Sequence, residues 1–472
     1  MRGPDTPGQR DWWAIVPMLA GLHGLRLSEG FFSALVAGVP GILVLSCGTI
    51  LFLMPGDRRI KAYLGLGSAV GAVLAIPLVF AADLGGALLA VLLFGASFAL
   101  AGRLGLRDEP TAEGAPVADD DWEMQVKAGI DQAVMGYFSV AAKIPSGEEA
   151  ARMCDEAQQM RQIIQARGWD RNPAQFHARP AAPERVNVRR AQRYGHDYER
   201  ICFDSQYQAN DSLPGAGRWA LHTPNQRAIA WVLRHPGPPR PWLVCIHGYR
   251  MGEPWMDFSL FPPQHLHQRL GLNLLMPVLP LHGPRRVGRK SGDGYLDGDL
   301  LELIFAQSQA LWDLRRWVQW LRTEQAEAGI GAYGISLGGY NAALLSAYEA
   351  FDFVVAGIPV SDLSAPLWGV LPSQHQQYYA SRDLDQATFS EILQPVSPLA
   401  VEPKVAPDRR HIFAATGDLI LSSSHPLALG RHWQCAVDWY QGSHLSVRTQ
   451  SMPLQILRRA MGAANWKVFE PI

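Results

Sequence analysis

At 472 residues the chain is too long for one small domain, and its length points to two or three folded units. Lys plus Arg (42) nearly cancels Asp plus Glu (43), so no net basic field exists to gather nucleic acid or any other polyanion. The five cysteines (Cys47, Cys154, Cys202, Cys245 and Cys435) show no C-x-x-C spacing and read as free thiols, which favours a reducing compartment.

No charged residue occurs from Phe31 to Gly56, from Ala62 to Ala82 or from Leu84 to Gly102. At about 1.5 Å of helical rise per residue, each run can cross a hydrocarbon core of about 30 Å. Three spanning helices, at about 31–55, 62–82 and 84–102, are expected within a membrane region of residues 1–103, with Asp83-Leu84-Gly85-Gly86 as the turn between the last two. Trp12-Trp13-Ala14-Ile15-Val16 is too short to span and suits the headgroup level. Asp5 among the first ten residues and the late start of the first apolar run argue against a secretory signal. With three spans, Arg58, Arg59 and Lys61 share a side with Arg103 and Arg107, against Arg26 and the more distant Arg2 and Arg10. The positive-inside bias then turns the rest of the chain toward the cytoplasm.

Residues 104–121 form an acidic linker, with Pro110, Pro116 and the Asp119-Asp120-Asp121 run and no apolar period. From 122 to 194 the pattern is helical: Met124, Ile130, Ala133 and Val134, then Met153, Ala157, Met160 and Ile164 recur at three- and four-residue spacing and read as core. Arg179, Arg185, Arg189, Arg190 and Arg193 read as solvated helix or loop surface, with a patch for anionic lipid headgroups as the rival.

Beyond Tyr194 short apolar runs alternate with helical stretches: Trp242 to Ile246, Leu272 to Leu279, Ile330 to Gly334, Phe353 to Val360 and His411 to Ala415. Such runs are strands covered on both faces, so residues 195–472 are expected to form an α/β domain on a mostly parallel sheet.

Gly334-Ile335-Ser336-Leu337-Gly338 is the one G-x-S-x-G match, with an apolar strand running into it and an apolar helix running out. A serine on so sharp a turn needs room for a strained backbone, which the flanking glycines provide, and the helix start puts free amides beside its hydroxyl. The bland alternative is a serine that merely caps a helix.

This strand-turn-helix, continued by Gly339-Tyr340, resembles the nucleophile elbow of esterase-like α/β-hydrolases, and the resemblance covers about residues 195–472. It implies an α/β-hydrolase fold with Ser336 as nucleophile, Asp418 as acid and His444 as base, in the family's chain order. It also implies an oxyanion hole from the backbone amides of Leu337 and of Tyr249, in His247-Gly248-Tyr249 after an apolar strand; the longer H-G-G-G form is missing, which leaves the second donor open. No cofactor is implied.

Asp362, also after an apolar strand, is the alternative acid. His265-x-His267 lacks a third ligand at metal-site spacing and reads as surface rather than as a metal centre. His282-Gly283-Pro284-Arg285-Arg286 is either a pocket mouth or a turn with solvated arginines, and Leu363 to about Leu399, with Trp368, Tyr378 and Tyr379, is either a lid or ordinary core. The expected activity is cleavage of a carboxylic ester, including a lipid ester or thioester, by a membrane-anchored serine hydrolase. A peptidase or an acyltransferase on the same fold, and a catalytically silent scaffold or binding module, are the rivals.

Overall fold

The structure is a computed structural model that describes residues 12–54, 57–78 and 84–466. The chain forms two compact units that do not follow chain order. The first holds the described residues up to Ala142 together with Ala415–Ser424 and Trp439–Gln450; the second holds Lys143–Ala414, His425–Asp438 and the described residues from Ser451.

The first unit is helical: α1 (Ile15–Arg26), α2 (Phe31–Leu53, with a π-helical turn at Ala34–Gly38), α3 (Arg58–Ala75), α4 (Leu84–Asp108) and α5 (Trp122–Ala141). Glycines let the helix backbones approach. A Cβ on Gly21 would lie 2.6 Å from the carbonyl oxygen of Gly41, and one on Gly102 would lie 2.0 Å from that of Gln125. Small residues at crossings of this kind allow tight packing without large side chains.

Among the described residues two helices, α2 and α4, are long and apolar enough to cross a bilayer, where three were expected. The 62–82 run is the exception, because α3 begins at Arg58 and carries Arg59 and Lys61 in its first turn, then ends at Ala75, two residues before Pro77. Lys61 is buried, and its ammonium donates to Asp108 at 2.8 Å. With two spans in place of three, the positive-inside comparison no longer turns the rest of the chain toward the cytoplasm. The turn at Asp83, the run beyond residue 78, and Arg2, Asp5 and Arg10 lie outside the described residues. Trp12–Ala14 is a single 3-10 turn leading into α1, and both indoles are exposed.

α4 continues through Arg103 to Asp108, so the irregular stretch is 109–121. It is tied down within the unit: the amide of Ala112 donates to Ser423 and that of Asp119 to Gln441.

The second unit opens with α6 (Gly147–Ala166), followed by a sheet whose nine strands lie in the order β1-β2-β3-β5-β4-β6-β7-β8-β9. The strands are β1 (Asn187–Arg193), β2 (His196–Asp204), β3 (Arg227–Leu233), β4 (Trp242–Ile246), β5 (Asn273–Val278), β6 (Ile330–Ile335), β7 (Phe353–Gly357), β8 (Arg410–Ala415) and β9 (Val437–Tyr440). β1, β2, β3 and β5 pair antiparallel in succession; β5, β4, β6, β7 and β8 run parallel. Every residue of β4, β5, β6 and β7 is buried, as continuous apolar strands covered on both faces must be.

Arg189, Arg190 and Arg193 stand on β1, a strand at the sheet edge rather than the helix or loop expected. β1 pairs through one side only and is mostly exposed, so it carries no apolar period to betray it.

From β4 the chain crosses to one side to make β5, and from β6 it crosses to the other to make β7. The connections therefore diverge outside the carboxyl ends of β4 and β6, where an open α/β sheet leaves a crevice. Those two ends carry His247-Gly248-Tyr249 and Ser336. This order, with its antiparallel strands confined to one side of a parallel core, is an α/β-hydrolase-like fold.

Candidate active site

Ser336 sits between β6 and α8 (Leu337–Tyr348) with φ 58° and ψ −119°, a conformation that an L-residue holds only under strain. The surroundings impose it. A Cβ on Gly334 would lie 1.9 Å from the carbonyl oxygen of Gly338, and a Cβ on Gly338 would lie 1.8 Å from that of Ile246. Only glycines let α8 start so close to the ends of β4 and β6. The Ser336 amide donates to the carbonyl of Gly357 at 2.9 Å, which pins the turn to β7. Leu337 is the first residue of α8, and Tyr249 follows β4 by three residues.

The loop after β4 is braced by His247, which the sequence marked only as part of its motif, and by Arg250 and Asp257, which it did not mark. Burial pulls the His247 imidazole down to about 4, so it is neutral; its Nε2 accepts from the amide of Leu279 at 3.1 Å and its Nδ1 donates to the carbonyl of Gly248. Arg250 donates to Asp293 at 2.7 Å and to Asp297 at 3.0 Å, and Asp257 accepts from the amide of Gly252. The His247 contact to Leu279 and the Arg250 contacts to Asp293 and Asp297 span 32 to 47 residues, and no local spacing marks them.

In the first unit, Nδ1 of His444 donates to Oδ2 of Asp418 at 2.6 Å, and both side chains are nearly excluded from water. The other Asp418 oxygen accepts from the amides of Ile420 (2.9 Å) and Leu421 (2.8 Å). The two loops are laced together: Thr416 N–H donates to Tyr440 and Gly417 N–H to Gly442. Burial opposes a charge on His444, but the Asp418 carboxylate and its hydrogen bond, with Asp131 behind them, raise its affinity for a proton above that of an ordinary histidine.

Asp131, on α5, was read only as part of a helical connector. It is fully buried, and its carboxylate accepts from the amides of His444 (2.8 Å), Leu445 (3.1 Å) and Leu419 (3.2 Å). Burial and then the neighbouring Asp418 push it up to about 7. The only hint in the sequence is that Asp131 is the one charged residue between Ala128 and Ala142.

Asp362 does not share this arrangement, since its carboxylate accepts from the amide and hydroxyl of Ser364, two residues on. His267 stacks on His235 and its Nδ1 donates to the carbonyl of Leu272. The His282 segment is not a solvated turn: Arg285 is buried and donates to Asp313 at 2.6 Å, leaving Arg286 as its exposed arginine. Residues 363–399 form three short helices, α9 (Ser364–Val370), α10 (Ser373–Ala380) and α11 (Gln386–Leu393), with Trp368 edge-on to Phe389 and Tyr379 buried.

No family model matches the chain. Two curated proteins do: the uncharacterized proteins MT2702 (strain CDC 1551 / Oshkosh) and Rv2627c (strain ATCC 25618 / H37Rv) of Mycobacterium tuberculosis. Each is 33% identical over 343 residues, covering 72% of this chain and 82% of its own. The chain belongs to the family of these two mycobacterial proteins. Among solved structures, acetyl xylan esterase 1 from Thermoanaerobacterium sp. JW/SL YS485 overlays with a TM-score of 0.42 at 13% identity, covering 68% of this chain and 96% of its own.

Proposed function

We propose that this family member is a serine hydrolase that cleaves a carboxylic ester through an acyl-enzyme on Ser336, with His444 as base and Asp418 as acid. The observation that carries the proposal is the 2.6 Å hydrogen bond from His444 to Asp418. A carboxylate on Nδ1 fixes the tautomer in which Nε2 holds the lone pair, and that nitrogen can take a proton from a hydroxyl.

Serine alone is a weak nucleophile near neutral pH. His444 takes the Ser336 proton as Oγ attacks the acyl carbon, and Asp418 stabilises the imidazolium that forms. The amides of Leu337 and Tyr249 stabilise the oxyanion, which is fully charged only in the tetrahedral state. His444 then returns the proton to the leaving alcohol, and water clears the acyl-enzyme by the same route. Another acceptor in place of water makes the enzyme an acyltransferase.

The anchoring part of the proposal is that α2 and α4 cross a bilayer. Both present apolar side chains outward, among them Val39, Ile42, Leu88 and Leu92, all more than half exposed. Large apolar side chains exposed repeatedly along two long apolar helices are rare on a protein that meets only water. Membrane-partitioned substrates, lipid esters or thioesters, follow from that location.

A fluorophosphonate probe tests the chemistry. Detergent-solubilised protein should be labelled and Ser336→Ala should not; a well-folded wild type that never labels would turn the fold into a scaffold. Ester and peptide panels then separate esterase from peptidase. Alkaline carbonate extraction tests the anchor, and release into the soluble fraction would overturn it.

A further inference from the structure

Within the first unit, one buried carboxylate touches both loops that carry the proposed acid and base. Oδ2 of Asp131 accepts from the amide of Leu419, next to Asp418, and from the amide of His444 itself; Oδ1 accepts from Leu445. All three partners are donors, the arrangement that suits an ionised carboxylate. α5 is itself held firmly, since a Cβ on Gly136 would lie 2.4 Å from the carbonyl oxygen of Ala62 and one on Gly65 would lie 2.9 Å from Cβ of Gln132. α4 closes the same cluster from its carboxyl end: Gly105 admits Gln132 and Leu419, and Leu106 and Met124 lie against Gly417.

We infer that Asp131 is a positioning residue of the hydrolase site: its carboxylate gathers the amides of Leu419, His444 and Leu445 and holds the Asp418 and His444 loops in register. The inference rests on the serine-hydrolase assignment above. It makes the helical N-terminal unit part of the catalytic apparatus, because the acid-base pair is oriented from α5.

A buried carboxylate at this place also acts on the His444 charge. The titratable group facing the His444–Asp418 pair within this unit is Asp131, with Glu109 beyond it just past the end of α4, itself paired with Arg58 at 3.1 Å. Asp131 itself holds a proton until near pH 7, and once ionised it favours the imidazolium, so removing it lowers the pH at which His444 loses its proton. A purely structural brace, once lost, would cost stability and leave that pH unchanged.

The test is fluorophosphonate labelling against pH for the full chain in detergent, comparing wild type, Asp131→Asn and Asp131→Glu. Asn keeps the shape and an acceptor but removes the charge. In Asp131→Asn the acid limb should move down by about 0.5–1 pH unit, with labelling at its plateau slowed roughly 10-fold or more by the misplaced pair. Asp131→Glu should restore the limb. The limb midpoint does not depend on the folded fraction as long as that fraction is constant over the range, which circular dichroism at each pH checks. Wild type that labels, with an Asp131→Asn profile that superimposes on it, overturns the inference and leaves the hydrolase intact; wild type that never labels removes both. If Asp131→Asn yields no folded protein, hydrogen exchange on wild type decides: the amides of Leu419, His444 and Leu445 should be protected, and rapid exchange there overturns the inference.

Discussion

His444 and Asp418, 26 residues apart in the chain, meet through a 2.6 Å hydrogen bond while the second Asp418 oxygen is held by two backbone amides. The acid is thus immobilised on one side and orients the imidazole on the other. Asp418→Asn should keep the shape but favour the wrong tautomer, lowering the acylation rate about 10³–10⁴-fold. Asp362→Ala should stay within about 3-fold of wild type, because that carboxylate serves its own turn. Stopped-time probe labelling of the two variants checks both, and the reverse order of effects would exchange their roles.

The elbow admits no side chain at Gly338. Gly338→Ala sets a methyl carbon 1.8 Å from the carbonyl oxygen of Ile246, so α8 must move away from β4. We expect a loss of about 3 kcal/mol or more, read by denaturant unfolding of the detergent-solubilised protein, together with loss of Ser336 labelling.

Labelling needs neutral His444. Its affinity for protons is raised, so activity should fall as pH drops through a midpoint above the ordinary histidine value of 6.5. A midpoint below 6.5 would contradict the environment described.

Stability should follow a different group. His247 is buried neutral with its folded value near 4, against 6.5 when unfolded. Below pH 6.5 the unfolded chain takes the proton and the folded one does not. Its contribution is therefore complete above 6.5 and is lost progressively as pH falls toward 4, by on the order of 3 kcal/mol in all. Urea midpoints measured from pH 7 to 4 for wild type and His247→Gln should converge as pH falls.

Arg285 and Asp313 form a buried pair that also engages Ser205 and the carbonyls of Val278 and Asn225. Asp313→Ala leaves a buried guanidinium without its counter-charge and should cost about 3–5 kcal/mol. A drop in thermal midpoint checks it, and a neutral result would mean that water reaches the site.

The alternation of strands and helices, the strand-turn-helix around Ser336 and the apolar character of α2 and α4 were legible in the sequence because each depends on residues close together in the chain. Period, glycine spacing and run length report local geometry directly. Helix α3 misled for the same reason: its apolar run is long enough, but the Arg59 and Lys61 of its first turn and Pro77 beyond its end bound the helix. β1 was missed because an exposed edge strand needs no apolar alternation. What only the tertiary structure decided is partnership. Asp131 reaches amides 288, 313 and 314 residues away, and Arg285 lies buried against Asp313 although its local sequence suits a pocket mouth or a surface turn equally. A carboxylate looks the same in a sequence whether it faces water, a neighbouring serine or the back of a histidine loop; the burial and the donors that set its role come from segments that folding brings together.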